Sequence, residues 1–215
     1  MPVGAVIFDM DGLLIDSEQV WDDVRERLAA DWGGRWHSGA QRDMMGMSAP
    51  EWSRYMHDVI GLPQTPAEID GEVVRRMEER YRTELPLIPG AVEAVGRLAA
   101  RWPLGLASSS NLPLIRLALA SSGLAALFDV VVSSEEVAHG KPSPDVYLEA
   151  ARRLGVEPVQ AAAVEDSHNG ILAARAAGMR VIAVPNAQFP PRAEALAAAE
   201  VVLRTIAELT PEVVE

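Results

Sequence analysis

From residue 91 onward, short apolar runs alternate with helical stretches of about ten residues. The apolar runs predict five strands, namely Leu104–Ala107, Asp129–Val132, Ala161–Val164, Arg180–Val184 and Val201–Leu203. A helix is predicted between each neighbouring pair, and a glycine follows three of these helices. Strands that alternate with helices form right-handed crossovers, which build a parallel sheet with helices on both faces. The pattern therefore predicts an α/β fold with a three-layer parallel-sheet core.

The first 90 residues follow a different pattern. Val3–Phe8 predicts one buried strand, and residues 17–85 then show helical periodicity without a strand signal. Apolar residues recur at every fourth position in two segments, Val20, Val24 and Leu28, and Ile69, Val73, Met77 and Tyr81. Glycines and prolines divide this region into three or four helices. We predict an α/β core at 1–16 and 86–215, interrupted by an all-helical domain at 17–85.

The charge and composition exclude several classes of partner. The chain has 31 acidic and 19 basic residues and a net charge of −12, which repels nucleic acids and anionic lipids. Its apolar runs are strand-sized, whereas a membrane span needs about 20 residues. It has no cysteine, and acidic residues follow the first apolar run at once, unlike a signal peptide. We expect a cytoplasmic protein, a monomer or weak dimer, with no nucleic-acid or membrane partner.

Lys141 is the only lysine among the 19 basic residues. A position that keeps lysine in a chain so biased towards arginine suits a role that needs a compact ammonium charge. Survival of one lysine by chance explains the same observation, so the count alone leaves both interpretations open.

Polar side chains cluster where the predicted strands end. Asp9 and Asp11 follow the first strand, Ser108–Asn111 the second, and Glu165 and Asp166 the strand Ala161–Val164. Ligands bind at the carboxyl ends of parallel strands, so these groups are expected to meet. Crowded carboxylates need a counter-ion, and oxygen ligands suit Mg²⁺ bound together with a substrate phosphate. The sequence predicts a magnesium site at this edge of the sheet.

The charges of this cluster point to phosphate chemistry. Asp9, Asp11, Glu165 and Asp166 sum to −4, and Lys141 with Mg²⁺ returns +3, which leaves −1. A phosphate dianion binds such a site well only if one carboxyl is protonated, and crowding favours this by raising a pKa. A neutral carboxyl beside an ionised one provides a general acid and a nucleophile.

Four ordered motifs closely resemble the haloacid dehalogenase-like hydrolase superfamily: Phe8–Glu18, Leu106–Ser110, Lys141–Asp145, and Val164–Ser167 with Gly170. Within it, the chain is similar to the branch of β-phosphoglucomutase and the sugar- or polyol-phosphate phosphatases. One Asp-x-Asp is a weak signal, but four motifs in order are specific. The resemblance implies a Rossmann-like core with a helical cap inserted after the first motif, in agreement with the pattern above.

The resemblance also implies catalytic roles. Asp9 is similar to the nucleophile that forms an aspartyl-phosphate, and Asp11 to the general acid and base. Ser108 resembles the hydroxyl that holds the transferring phosphoryl group, and Lys141 the lysine that neutralises phosphate and nucleophile. The implied Mg²⁺ ligands are Asp9, the Asp11 carbonyl, Asp166 and, directly or through water, Glu165.

The resemblance implies substrate contacts from Ser109, Ser110 and Asn111, together with Glu18 and Trp21 of the cap. Backbone N–H groups where Ser110 and Asn111 open a helix suit an anion. The serines also suit a simple helix cap, and Trp21 suits packing within the cap. His168 is either a second base or incidental.

Departures from the mutase pattern narrow the chemistry. Trp21 and Ala49 replace a cap histidine and an arginine, and the cap has no lysine. Phosphonatases need a cap lysine, and dehalogenases lack the second aspartate. The prediction is a Mg²⁺-dependent phosphatase of a small phosphorylated metabolite, a sugar or polyol phosphate. A β-phosphoglucomutase-type isomerase and a non-catalytic binding protein are the alternatives.

Overall fold

The computed structural model describes residues 2–215 and centres on one six-stranded sheet. All strand pairs are parallel, in the order β3-β2-β1-β4-β5-β6. The strands are β1 (Ala5–Phe8), β2 (Leu104–Ser108), β3 (Val130–Ser133), β4 (Ala161–Glu165), β5 (Arg180–Ala183) and β6 (Val201–Val202). The strand order reverses between β1 and β4, as in Rossmann-like sheets.

Ten α-helices surround this sheet within the described residues. Four lie between β1 and β2 and precede the crossover helix: α1 (Glu18–Trp32), α2 (Ala40–Met44), α3 (Ala49–Asp58) and α4 (Pro66–Thr83). The others are α5 (Ala91–Ala99), α6 (Leu112–Ser122), α7 (Asp145–Leu154), α8 (His168–Ala176), α9 (Ala193–Leu196) and α10 (Pro211–Val214). Short 3₁₀ turns complete the connections. None of the described helices is both long enough and apolar enough to cross a membrane.

Side chains on the two faces of the sheet enter different cores. In β1, Val6 and Phe8 belong to one apolar cluster, whereas Ile7 belongs to the other. This alternation follows from the two-residue period of a strand. The first core also contains Leu98 of α5, and the second contains Tyr147 of α7. The predicted three-layer α/β fold with a Rossmann-like parallel sheet is confirmed.

The helices α1–α4 pack largely on one another, with α4 against α1 and α3. The chain enters and leaves this helical segment side by side, because the Asp16 N–H donates to the Pro86 carbonyl at 2.7 Å. The structure resolves the predicted three or four helices as four. The division into a core at 1–16 and 86–215 and a cap at 17–85 stays a prediction.

Several predicted boundaries were wrong by one or two residues. Ser108 and Glu165 belong to β2 and β4, because the ladder continues through their pairs with Ser133 and Ala183. Helix α8 begins at His168 rather than at Gly170. The Ser167 hydroxyl caps it by accepting a hydrogen bond from the Gly170 N–H.

Candidate active site

The strand order brings the predicted polar residues to one edge of the sheet. Asp9 follows β1, and its N–H donates to the Val164 carbonyl of β4 at 3.0 Å. Glu165 and Asp166 therefore lie beside Asp9, where the sheet order reverses. Ser108 ends the neighbouring strand β2. All four residues are buried.

Lys141 reaches this cluster and is only 4% exposed. Its Nζ donates to Asp9 Oδ1 at 2.5 Å and to Glu165 Oε1 at 2.7 Å, and it lies 4.9 Å from the Tyr147 ring centroid. Burial lowers the pKa of Lys141, but the carboxylates of Asp9 and Glu165 outweigh it and hold that pKa well above its usual value. The lone lysine is therefore a buried cation between two acids.

Glu165 is surrounded by donors from the protein. Its Oε1 accepts from Lys141 and from the Tyr147 hydroxyl at 3.0 Å. Its Oε2 accepts from the Ser167 N–H at 2.8 Å and the Ser167 hydroxyl at 3.0 Å. The structure thus places this carboxylate against Lys141, and its membership of a metal shell stays a prediction. Tyr147 was missed in the sequence, since it occupies an apolar position of α7.

Asp166 has the opposite environment. Both of its carboxylate oxygens are buried, and neither has a hydrogen-bond partner within residues 2–215. Gly12 has φ of 78° and lets Asp166 approach, since a Cβ there would lie 2.2 Å from Asp166 Oδ2. Burial raises the pKa of Asp9 and of Asp166 well above the usual range. An unpaired buried carboxylate beside a second one is a fit for a bound cation.

The set of ligands is small. No group of three or more histidine, aspartate or glutamate side chains within the described residues is arranged to hold a metal ion. Mg²⁺, however, takes only one or two carboxylates, and completes its shell with water, carbonyl oxygens and substrate phosphate. Asp9 and Asp166 fit that smaller requirement.

Asp11 is the junction between the helical segment and the core. Its Oδ1 accepts from Ser17 Oγ at 2.6 Å, Trp21 Nε1 at 3.2 Å and Tyr81 OH at 3.5 Å. Its Oδ2 accepts from Ser108 Oγ at 3.2 Å and Ser110 Oγ at 2.7 Å. The structure therefore brings Asp11 together with Ser108, which is predicted to hold the phosphoryl group, and with Ser110, a predicted substrate contact. The nearby Ser109 hydroxyl donates to the Gly46 carbonyl at 3.0 Å.

Two predicted candidates point elsewhere. The Asn111 amide donates to Asp70 Oδ1 at 3.0 Å and to Glu135 Oε1 at 2.9 Å, so its side chain links α4 to the core. His168 lies at the start of α8, and its Nε2 is 3.7 Å from Glu194 Oε1. Neither side chain joins the group around Asp9. A contact between phosphate and the backbone near Asn111 stays a prediction.

Three buried polar residues form a hydrogen-bonded cluster near Asp11, and only one of them, Glu18, was predicted from the sequence. Arg25 is 4% exposed, and its guanidinium carbon lies 4.4 Å from the Trp21 ring centroid and 4.8 Å from that of Trp52. It donates to Gln41 Oε1 at 3.0 Å, and Gln41 Nε2 donates to Glu18 Oε2 at 2.8 Å. We call Glu18, Arg25 and Gln41 the polar triad.

The helical spacing of α1 indicates two members of this triad, Glu18 and Arg25. Arg25 follows Trp21 by four residues and Glu18 by seven, so all three lie on one face of α1. That face also carries the buried Leu28. An arginine and a glutamate on a buried face require partners, and Gln41 of α2 supplies them. Gln41 itself has no such signal in the sequence.

Glu18 gives a pH-dependent prediction. Burial, with the charge of Asp11, raises the pKa of Glu18 from 4.5 to about 7. The folded protein then binds this proton more tightly than the unfolded chain, so stability is lost as the pH rises from about 4.5 to 7. We expect the free energy of unfolding of the wild type to fall by about 3 kcal/mol more than that of Glu18→Gln between pH 4.5 and 8.

Urea unfolding of both proteins at the two pH values measures this difference. Glu26→Gln, exposed on the same helix, is the control, and equal pH dependence in the wild type and Glu18→Gln would contradict the prediction.

Gly170→Ala should disrupt the site by displacing the Glu165 carboxylate. A Cβ at Gly170 would lie 1.6 Å from Glu165 Oε1, so Glu165 must move away from Lys141. We expect about 1–3 kcal/mol of destabilisation from overpacking, and at least about tenfold lower turnover. Gly96→Ala is the matched control, because it is also helical and nothing lies within 4 Å of its added Cβ. If the two variants change the urea midpoint and the activity equally, Glu165 is not packed against Gly170 of α8.

Comparisons with known proteins agree with this geometry. The profile of the haloacid dehalogenase-like hydrolase family matches residues 3–178. Hexitol phosphatase B of Escherichia coli (strain K12) is 38% identical over 217 residues, covering 96% of this chain and 94% of the relative. Fructose-1-phosphate phosphatase YqaB of the same organism is 36% identical over 193 residues, covering 83% and 95%. The structure of CbbY from Rhodobacter sphaeroides in complex with phosphate has a TM-score of 0.85 at 31% identity and covers 96% of both chains.

The chain belongs to the haloacid dehalogenase-like hydrolase family. It is an enzyme of the phosphatase type within that family, as the hexitol and fructose-1-phosphate phosphatases are.

Proposed function

We propose that this enzyme is a Mg²⁺-dependent phosphomonoesterase that hydrolyses sugar or polyol phosphates through an aspartyl-phosphate on Asp9. The observation that carries the proposal is the pairing of Asp9 with Lys141 beside the unpartnered carboxylate of Asp166. The names of the relatives, a hexitol phosphatase and a fructose-1-phosphate phosphatase, support the substrate class.

In the first half-reaction, Asp9 attacks phosphorus. Lys141 binds Asp9 Oδ1, so Oδ2 is the oxygen that forms the new O–P bond. As the ester P–O bond breaks, Asp11 donates a proton to the leaving alcohol oxygen. The hydroxyls of Ser108 and Ser110 hold the phosphoryl oxygens, and Lys141 offsets the charge that develops on them.

In the second half-reaction, water hydrolyses the aspartyl-phosphate. Asp11, now ionised, accepts a proton from the water as its oxygen bonds to phosphorus. The bond between phosphorus and Asp9 breaks, and inorganic phosphate leaves. Both aspartates return to their starting states, so the cycle consumes only ester and water.

A magnesium ion would be held by the Asp9 and Asp166 carboxylates and the Asp11 carbonyl. When bound, it supplies positive charge next to the phosphate and the nucleophile. Asp166 takes no part in bond making and serves only to bind and orient. We further propose that the protein works in the cytoplasm as a monomer or weak dimer, with a small phosphorylated metabolite as its partner.

A phosphate-release screen over phosphorylated metabolites tests the proposal. We expect release from sugar or polyol phosphates with Mg²⁺ and none after chelation with EDTA. Trapping with beryllium fluoride and Mg²⁺ should yield a stable Asp9 adduct, which a non-catalytic binding protein would not form. A coupled mutase assay separates the isomerase alternative. Isomerisation of a sugar phosphate without phosphate release would overturn the phosphatase proposal.

A further inference from the structure

We infer that the polar triad of Glu18, Arg25 and Gln41 is a specificity site that binds hydroxyl groups on the uncharged tail of a monophosphate ester and excludes a second phosphate. The inference rests on the proposed phosphatase function and narrows its substrate class. The three residues line a cavity that Asp11 and Ser110 also line, so a substrate tail held there lies next to the proposed general acid.

The triad leaves hydrogen-bonding groups without partners. Arg25 Nε is buried and has no hydrogen-bond partner within the described part of the chain. Glu18 accepts from Gln41 at Oε2, whereas its Oε1 accepts no hydrogen bond from residues 2–215. An unpaired buried donor costs free energy unless a ligand pairs with it. The site therefore presents one donor and one acceptor. A hydroxyl group both donates and accepts, whereas a phosphate dianion only accepts.

The charges around the cavity disfavour a second anion. Glu18 and Asp11 are both acidic, and Arg25 is the one basic residue among those that line the cavity. Burial here already disfavours negative charge, and together with the charge of Asp11 it raises the pKa of Glu18 to about 7. A phosphate dianion on the tail would add up to two further negative charges beside these acids, whereas hydroxyl groups add none.

Size and surface agree with this chemistry. The cavity measures about 40 Å³, which is room for roughly three water-sized groups at about 10–15 Å³ each. One hydroxylated carbon of the tail fits this space. The indole rings of Trp21 and Trp52, whose centroids are 6.1 Å apart, give the cavity apolar walls for the C–H groups of a polyol chain.

Three substrates with the same six-carbon length test the inference on the wild-type enzyme. They are hexitol 6-phosphate, 1-hexyl phosphate and hexitol 1,6-bisphosphate. We expect kcat/KM for the hexitol monophosphate to exceed each of the other two by about tenfold or more, since a site built for hydroxyls rejects analogues that lack them. Equal values for 1-hexyl phosphate would overturn hydroxyl recognition. Equal or higher values for the bisphosphate would make Arg25 an anion site and overturn the inference.

Two variants localise the effect. In Arg25→Met and in Gln41→Met, the ratio of kcat/KM for hexitol monophosphate to that for 1-hexyl phosphate should fall about tenfold. Arg27→Met, exposed on the same helix, should keep the wild-type ratio. A wild-type ratio in both triad variants would overturn the inference. If Arg25→Met shows no cooperative thermal unfolding, it is not folded. The ratios of Gln41→Met and of the wild type then decide whether the triad recognises hydroxyl groups.

Failure of this inference differs from failure of the proposed function. If the enzyme releases phosphate from p-nitrophenyl phosphate with Mg²⁺ but does not distinguish the three substrates, only the role of the triad is wrong. If it releases phosphate from none of the four compounds, the phosphatase proposal itself is wrong.

Discussion

Asp9→Asn is expected to lower phosphate release by roughly 1,000-fold or more, because an amide has the shape of a carboxylate but cannot attack phosphorus. The variant should stay folded, since Asn also accepts a hydrogen bond from Lys141. Steady-state kinetics on p-nitrophenyl phosphate and a thermal unfolding curve measure the two effects. Trapping with beryllium fluoride should fail in Asp9→Asn and succeed in the wild type.

The matched control for this change is Asp58→Asn, an exposed position at the end of α3. It should retain wild-type kinetics and trapping. Activity of Asp9→Asn within tenfold of the wild type would remove Asp9 as the nucleophile.

Lys141→Ala should impair both stability and turnover. It leaves Asp9 and Glu165 buried without their shared cation, and loss of one partner from a buried ion pair costs about 3–5 kcal/mol. Loss of a charge-assisted hydrogen bond to the reacting groups costs about 1.5–3 kcal/mol, or about 10- to 150-fold in kcat/KM. Lys141→Arg keeps the charge but replaces a compact ammonium with a planar fork, so it should restore activity only in part.

Urea unfolding and steady-state kinetics on both lysine variants check these values, with the exposed Arg54→Ala as the control for loss of a cation. Wild-type kinetics in both Lys141→Ala and Lys141→Arg would show that the lysine has no part in catalysis, despite its contact with Asp9.

The sequence predicted the sheet well because its signals are local. Strand and helix periods depend on near neighbours, and Gly123 and Gly155 stand directly after α6 and α7, as the pattern predicts. It also predicted that polar residues at strand ends share one edge, since all parallel strands end on the same side. The order of the strands was not predictable in this way, because hydrophobic periodicity does not say which strands pair.

The site was less predictable where distant elements meet. Tyr147 of α7 and Tyr81 of α4 sit at positions with the spacing of core residues, and nothing in their surroundings marks their hydroxyls as donors to Glu165 and Asp11. Gln41 is one polar residue in a polar stretch. Its burial is known only once α1 and α2 are packed. Such residues acquire their chemistry from tertiary contacts that no local pattern encodes.

The five donors on Asp11 have a consequence for the order of events. Ser108 and Ser110, which hold the phosphoryl group in the proposed reaction, donate to Asp11 Oδ2 in the structure. Phosphate and Asp11 therefore compete for the same two hydroxyls. An incoming ester takes these donors from Asp11 Oδ2, while Oδ1 keeps those from Ser17, Trp21 and Tyr81. In the proposed reaction, binding of the substrate therefore frees Oδ2 of the general acid from both of its hydrogen bonds.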